Sequence, residues 1–281
     1  MPDNINGHYI VREHPVRIIT KCRSHSKGTL MSFLVGVMII YIFLNWIPET
    51  ASIFFPVTNV DLMSRTGAYD RQLLQVMPRT PLVMYFYGMF FTGVFKFGEA
   101  LYTLTYIRNR KVEYRAISEG FSMYGKTLAL FIVQVLIVGF WSMLFVIPGI
   151  IATINFSQAF YILADDPSKG ITQVLSESKI MMTGNRMNYV RLLLFYLPYL
   201  MLGYAPSLVL SDLVMRYNLS QTSIVLIGML AEIPVFIAHG YICLGRAVFY
   251  ELLQNGSFAK FRYAGQDAFR EMEKLDPADN N

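Results

Sequence analysis

The sequence predicts an all-α polytopic membrane protein: six transmembrane helices, with a cytoplasmic amphipathic helix between the fourth and fifth. Three observations predict it. Of 281 residues, 54% are hydrophobic and 15% charged, with a mean hydropathy of +0.41. Soluble domains carry about 25% charged residues. Apolar runs recur at the length needed to cross a hydrocarbon core of about 30 Å. Finally, 19 of the 24 Lys and Arg fall on alternate connections between those runs, the bias that orients membrane proteins. Together these exclude a disordered chain, a collagen, a coiled coil and an ordinary soluble enzyme.

The first run, 30–47, follows a basic stretch. At 18 residues it exceeds the apolar core of a signal peptide, and no small-x-small cleavage site follows, so it reads as a retained span. The second, 81–107, carries Lys96 and Glu99. The third is 127–147. Pro148-Gly149 closes it, because proline lacks an amide donor and glycine tolerates any turn. The fourth, 150–163, is short. The fifth and sixth are 188–210 and 222–244.

Whether 150–163 crosses decides between five spans and six. With six, Arg12 to Lys27, Arg108 to Lys126, Lys169 to Arg191 and Arg246 to Lys274 share one side. With five, that segregation breaks down. Six spans with both termini cytoplasmic is the expectation. Domain organisation follows. Residues 1–29 form a basic cytoplasmic segment, 30–253 the membrane domain and 254–281 a charged cytoplasmic tail. The one sizeable external loop, 48–80, has Pro48, Pro56 and Pro78.

Residues 167–184 read as a cytoplasmic helix, with Asp166 as N-cap, Pro167 at the first helical position and Gly184 ending it. Ile171, Val174, Leu175, Met181 and Met182 fall on one face. That face suits a helix lying on the membrane surface or one packed on the bundle. Gly36, Gly88, Gly93 and Gly203 permit close helix contacts without specifying a dimer.

Two motifs imitate enzyme signatures. Residues 120–127, GFSMYGKT, fit GxxxxGK[ST]. A phosphate-binding loop needs a buried strand before it and a soluble helix after it. Here a polar stretch precedes and an apolar span follows, so Lys126 reads as an interfacial residue. Ser176 to Lys179 fit SxxK but lack the companion motifs of penicillin-binding enzymes. No HExxH or GxSxG is present, so no catalytic set, cofactor or metal is expected. Cys22 and Cys243 read as two reduced thiols.

Ionisable and polar residues inside the spans are the better clues, since burying charge in lipid costs several kcal/mol unless it is paired. Lys96 and Glu99 lie three apart on one helix face and can neutralise each other. Glu232 and His239 are seven apart, also on one face. Gln134, Asn155 and Gln158 can complete a polar interior. This set reads as a proton or solute path or as polar glue between helices. Pro234 has no amide proton for the carbonyl of Leu230 and can loosen the sixth span.

From Gly98 onward the chain resembles a known family. The residues that carry the likeness are Gly98 to Leu101, Trp141 to Ile151 with its Pro148-Gly149 pair, and Phe160 to Pro167 with Asp165-Asp166. Ser176, Ser178, Met182, Gly184-Asn185-Arg186 and Phe249-Tyr250-Glu251 continue it. The block 80–253 is similar to the bacterial integral-membrane family called domain of unknown function nine-seven-five. It is more distantly similar to the membrane domain of some glycerophosphodiester phosphodiesterases, whose catalytic domain has no counterpart here. The resemblance implies a multi-pass protein of the bacterial cytoplasmic membrane and carries no biochemical activity. The functional expectation is a non-enzymatic factor that handles lipids or assists envelope assembly, with a small transporter or permease as the alternative. Its expected partners are membrane lipids and an unidentified membrane protein, with no nucleic acid.

Overall fold

A computed structural model describes residues 4–5, 8–51, 82–217 and 221–256. The external loop and charged tail expected from the sequence lie almost wholly outside them. Two two-residue strands, β1 (Asn4–Ile5) and β2 (His8–Tyr9), pair antiparallel at the N-terminus. The rest is helical. α1 (Pro15–His25) is bent 106° from α2 (Leu30–Tyr41), which runs on through a π-helical turn (Ile42–Trp46) into α3 (Ile47–Ala51). α4 (Leu82–Asn109) and α5 (Arg115–Ser122) form a hairpin. α6 (Tyr124–Leu144), α7 (Val146–Asn155) and α8 (Ala159–Asp165) follow, then α9 (Ile171–Met182), α10 (Arg186–Tyr217), α11 (Gln221–Ala231) and α12 (Ile233–Asn255).

Among the described residues, three segments are long and apolar enough to cross a membrane: α6, α7 with α8, and α12. The bent pair α1 and α2 with its π turn makes a fourth if it is one span. The exterior differs from that of a soluble protein, while the core remains mostly apolar with polar groups set into it. Met143, Leu136, Phe140 and Phe145 on and after α6 are exposed, and only 11% of the α6 window is buried. Glu99, Thr103, Gln158, Ser178 and Glu251 are buried instead. A contiguous apolar exterior around a partly polar interior suits lipid surroundings.

Several local expectations are corrected. The third and fourth runs do not turn at Pro148-Gly149. The chain extends at Phe145 (φ −155°, ψ 145°), and Pro148 is the third residue of α7. Proline is tolerated there because the first amides of a helix have no intrahelical acceptor. Gly149 lies against Ser142, where a Cβ would overlap. The fourth run is therefore longer than 150–163, covering 146–165 with a break at Phe156.

The sixth run is interrupted at Glu232, between α11 and α12, where Pro234 has no amide to give. Glu232 itself stays helical, its amide donating to the Gly228 carbonyl at 3.1 Å and its carbonyl accepting from Phe236 at 2.9 Å. Asp166 does not cap α9. Its Oδ1 accepts from the Ser168 amide at 3.0 Å, and the helix starts only at Ile171 after Gly170. Those two donors from Ser168, amide and hydroxyl, hold the Asp166 carboxyl below the usual carboxylate range. Val174, Leu175, Met181 and Met182 are buried, so the apolar face of α9 packs on the bundle. Gly184 ends the segment at φ +85°.

α4 is the hub. It packs against α5, α6, α8 and α12, and α10 lies along α12. Phe33 of α2 rests between Tyr102 and Tyr106 of α4, with ring centroids at 5.4 and 4.5 Å. At Gly98 a Cβ would meet the Ile117 carbonyl oxygen at 2.5 Å, so only glycine allows the α4–α5 backbones this close.

Candidate functional site

His239 and Cys243 are one turn apart on α12, so both side chains leave the same face. Glu99 of α4 meets them. The His239 Nε2 atom is 3.4 Å from the Cys243 sulfur and 3.5 Å from Glu99 Oε2. The other carboxylate oxygen, Oε1, is 3.6 Å from the guanidinium of Arg246, a further turn along α12. Arg246 also lies over the Tyr161 ring, 5.8 Å from its centroid.

Glu99, His239 and Arg246 line a cavity of about 610 Å³, together with Lys96, Gln134, Tyr41 and Tyr161. Lys96 lies over Phe131, 5.5 Å from the ring centroid, and acts on Glu99 through space, while Arg246 and His239 supply the carboxylate's direct contacts. Three polar atoms on this lining are buried with no hydrogen-bond partner: Arg246 Nε, Tyr161 OH and Gln134 Oε1. Gln134 donates its amide to the Phe156 carbonyl at 3.0 Å, a group in the α7–α8 break that also accepts from the Ala159 amide at 3.2 Å.

The other expected site residues are placed elsewhere. Asn155 accepts from Arg186 Nε at 2.7 Å, and its carbonyl accepts from Ser178 at 2.7 Å. It therefore ties α7 to α9 and α10. Gln158 is fully buried against Ser157, with its Oε1 unpartnered. Glu232 keeps helical backbone (φ −84°, ψ −10°) at the junction of α11 and α12, and its carbonyl accepts from the Phe236 amide at 2.9 Å, so it stays in helical register with His239. Glu232 accepts from Trp46 Nε1 at 2.9 Å and from Tyr41 OH at 3.2 Å. Tyr41 also packs its ring 5.9 Å from that of His239. The π turn makes this possible. Residues five apart are roughly 140° apart on an α-helix, whereas i→i+5 bonding stacks them, which lets Tyr41 and Trp46 reach the same carboxylate.

A second polar cluster closes one end of the bundle. Arg108 of α4 donates from NH1 to Asp165 Oδ1 at 2.6 Å and from Nε to Glu251 Oε1 at 2.7 Å. Tyr250 OH donates to Asp165 Oδ2 at 3.2 Å, and Asn255 donates to Glu251 Oε2 at 2.8 Å. Asp165 and Glu251 thus pin α8 and α12 to α4. Lys126 donates to the Pro167 carbonyl at 2.6 Å from within helical residues, so 120–127 is not a phosphate loop. Asn185 is a third anchor. Its Oδ1 accepts from the Val11 amide at 2.8 Å, and its Nδ2 donates to the Tyr9 and Met181 carbonyls, each at 3.0 Å.

The apolar exterior and the charged, cavity-lining interior define a helical membrane-embedded protein with an internal polar site. Residues 143–257 match the family described as Protein of unknown function (DUF975), the family that the sequence resembles. The match takes in Pro148, Gly149, Asp165, Asp166 and Glu251, and begins after Gly98 to Leu101. No curated protein and no solved structure matches the chain.

Proposed function

We propose that the protein is a multi-pass factor of the bacterial cytoplasmic membrane that handles lipids, and that the cavity holds an anionic headgroup. The observation that carries this is the excess of cations there: Lys96 and Arg246 line the cavity beside one carboxylate, that of Glu99, which Arg246 contacts. A cation within a membrane span is stabilised by a counter-charge, and a phosphate-bearing headgroup supplies one. An apolar cavity of about 410 Å³ supports lipid over a soluble anion. It is lined by Ile19, Tyr196, Leu202 and Ile237, with Arg23 also on its wall. The fold needs no catalytic set for this role. Six spans with both termini cytoplasmic complete the reading, supported by the segregation of Lys and Arg.

The test is mass spectrometry of lipids that co-purify in native lipid particles, wild type against Lys96→Gln. Lys96 is solvent-accessible in the cavity, so this change does not empty the core. One anionic lipid class enriched over bulk membrane, and lost in the variant, is the expected result. Bulk composition in both samples overturns the proposal. A transporter is the second reading. A string of polar groups favours it, from Glu232 through Tyr41 and His239 to Glu99 and Arg246. A solute flux abolished by Glu99→Gln, with lipids unchanged, selects it.

A further inference from the structure

We infer that Glu99, His239 and Cys243 are the protein ligands of a divalent transition-metal ion, zinc by donor type, held at the wall of the polar cavity. The inference stands independently of the headgroup reading.

The argument is first one of distances. Zinc binds thiolate sulfur at about 2.3 Å and imidazole nitrogen or carboxylate oxygen at about 2.0–2.2 Å, with tetrahedral angles. Those bond lengths place a sulfur and a nitrogen ligand about 3.5 Å apart, and a nitrogen and an oxygen about 3.4 Å apart. The observed separations from His239 Nε2 are 3.4 Å to the Cys243 sulfur and 3.5 Å to Glu99 Oε2. All three ligand atoms lie within 4.8 Å of one another. An ordinary hydrogen bond to a carboxylate is shorter, about 2.7–2.9 Å. One imidazole nitrogen also cannot donate its single proton to two acceptors with good geometry. A shared cation at the centre accounts for the convergence of thiol, imidazole and carboxylate at these separations.

Position and chemistry agree with this. His239 and Cys243 come from one face of α12 and Glu99 from the facing side of α4, which is how bundles build metal sites. Mixed sulfur, nitrogen and oxygen donors suit zinc better than calcium or magnesium, which prefer oxygen. Glu99 Oε1 is oriented by Arg246 at 3.6 Å, leaving Oε2 for the ion. Such an outer partner both positions a ligating carboxylate and tunes it. Glu99 and His239 line the cavity, so a fourth position opens toward it. Thiolate and carboxylate neutralise the ion's two charges, while Lys96 and Arg246 remain positive beside it. An exogenous anionic oxygen is the natural fourth ligand.

The test uses the full-length protein purified in detergent, stripped with chelator and titrated with Co(II) or Zn(II). Wild type is expected to take up about one equivalent. Co(II) should give a thiolate-to-cobalt charge-transfer band and tetrahedral visible bands. Cys22→Ser keeps both bands, since the Cys22 sulfur is not one of the three converging ligand atoms. Cys243→Ser loses the charge-transfer band, and its Co(II) affinity falls by more than the roughly 10–100-fold that outer partners control. Size-exclusion profiles establish that each variant is folded. Should Cys243→Ser not fold, the wild-type spectrum against Cys22→Ser still decides. No charge-transfer band in folded wild type, or a band that follows Cys22, overturns the assignment. So does equal uptake by wild type and a Glu99→Gln, His239→Ala variant, which would mark adventitious metal only.

Discussion

Replacing Arg108 with methionine removes the cation that, among the described residues, Asp165 and Glu251 share. The two arms are unequal. The Glu251 side chain is 1% exposed, while that of Asp165 is 29% exposed. Breaking a buried pair and leaving its partner charged costs about 3–5 kcal/mol; a solvent-screened arm contributes under about 1 kcal/mol. Asn255 still donates to Glu251 at 2.8 Å, which places the total near the lower end, about 3 kcal/mol. SDS titration in mixed micelles reads this as an earlier unfolding midpoint. Adding Glu251→Leu to Arg108→Met should recover much of the loss, because the stranded charge goes with it. An unchanged midpoint for Arg108→Met, or a double variant no more stable than the single one, refutes the reasoning.

Other outcomes follow from the same geometry. Gly98→Val places side-chain atoms against the Ile117 carbonyl, so little folded protein should be recovered on size exclusion, while the open Gly139→Ala behaves as wild type. Asn185→Ala loses two hydrogen bonds that hold the N-terminal segment and a third to the Met181 carbonyl, roughly 2–3 kcal/mol in sum. Trypsin should then cut at Arg12 and Arg17 at least several-fold faster, with the core resistant. Cys22 and Cys243 are buried free thiols, so maleimide should label neither quickly until SDS is added. Rapid labelling of the native protein would contradict the packing of α1 and α12. Trp46→Phe removes one donor to Glu232 and should cost about 1–2 kcal/mol by the same titration.

Helix content, the apolar exterior and the presence of Lys96, Glu99, Gln134 and His239 around one interior were legible in the sequence, because periodicity and hydropathy report directly on burial. The ends of elements were not. Pro148-Gly149 reads as a turn, yet proline is equally suited to a first helical turn, and only packing of Gly149 on Ser142 decides. Pairing was also hidden. Glu99 is three residues from Lys96, but its carboxylate's direct contacts are 140 or more positions away on α12, beyond any local rule. Arg246 was visible only as a topological charge. Cys243 carried a readable signal, since His239 and Cys243 have the i, i+4 spacing of two ligands on one helical face. The sulfur reads as inert until Glu99 is known to face it.

The π turn at residues 42–46 has a consequence for how this end of the molecule tolerates change. The contact of Trp46 with Glu232 depends on the winding of the backbone as much as on the identity of either side chain. Deleting one residue from the turn would convert it to an ordinary α-helix in which Tyr41 and the indole stand four apart, about 40° around the axis, so both still reach the carboxylate. A change that straightens the turn into α-helix without removing a residue would instead set them about 140° apart and swing the indole away although no contacting residue had been altered. The latch between α2 and the junction of α11 and α12 therefore tolerates the loss of a residue better than the loss of the π-helical winding.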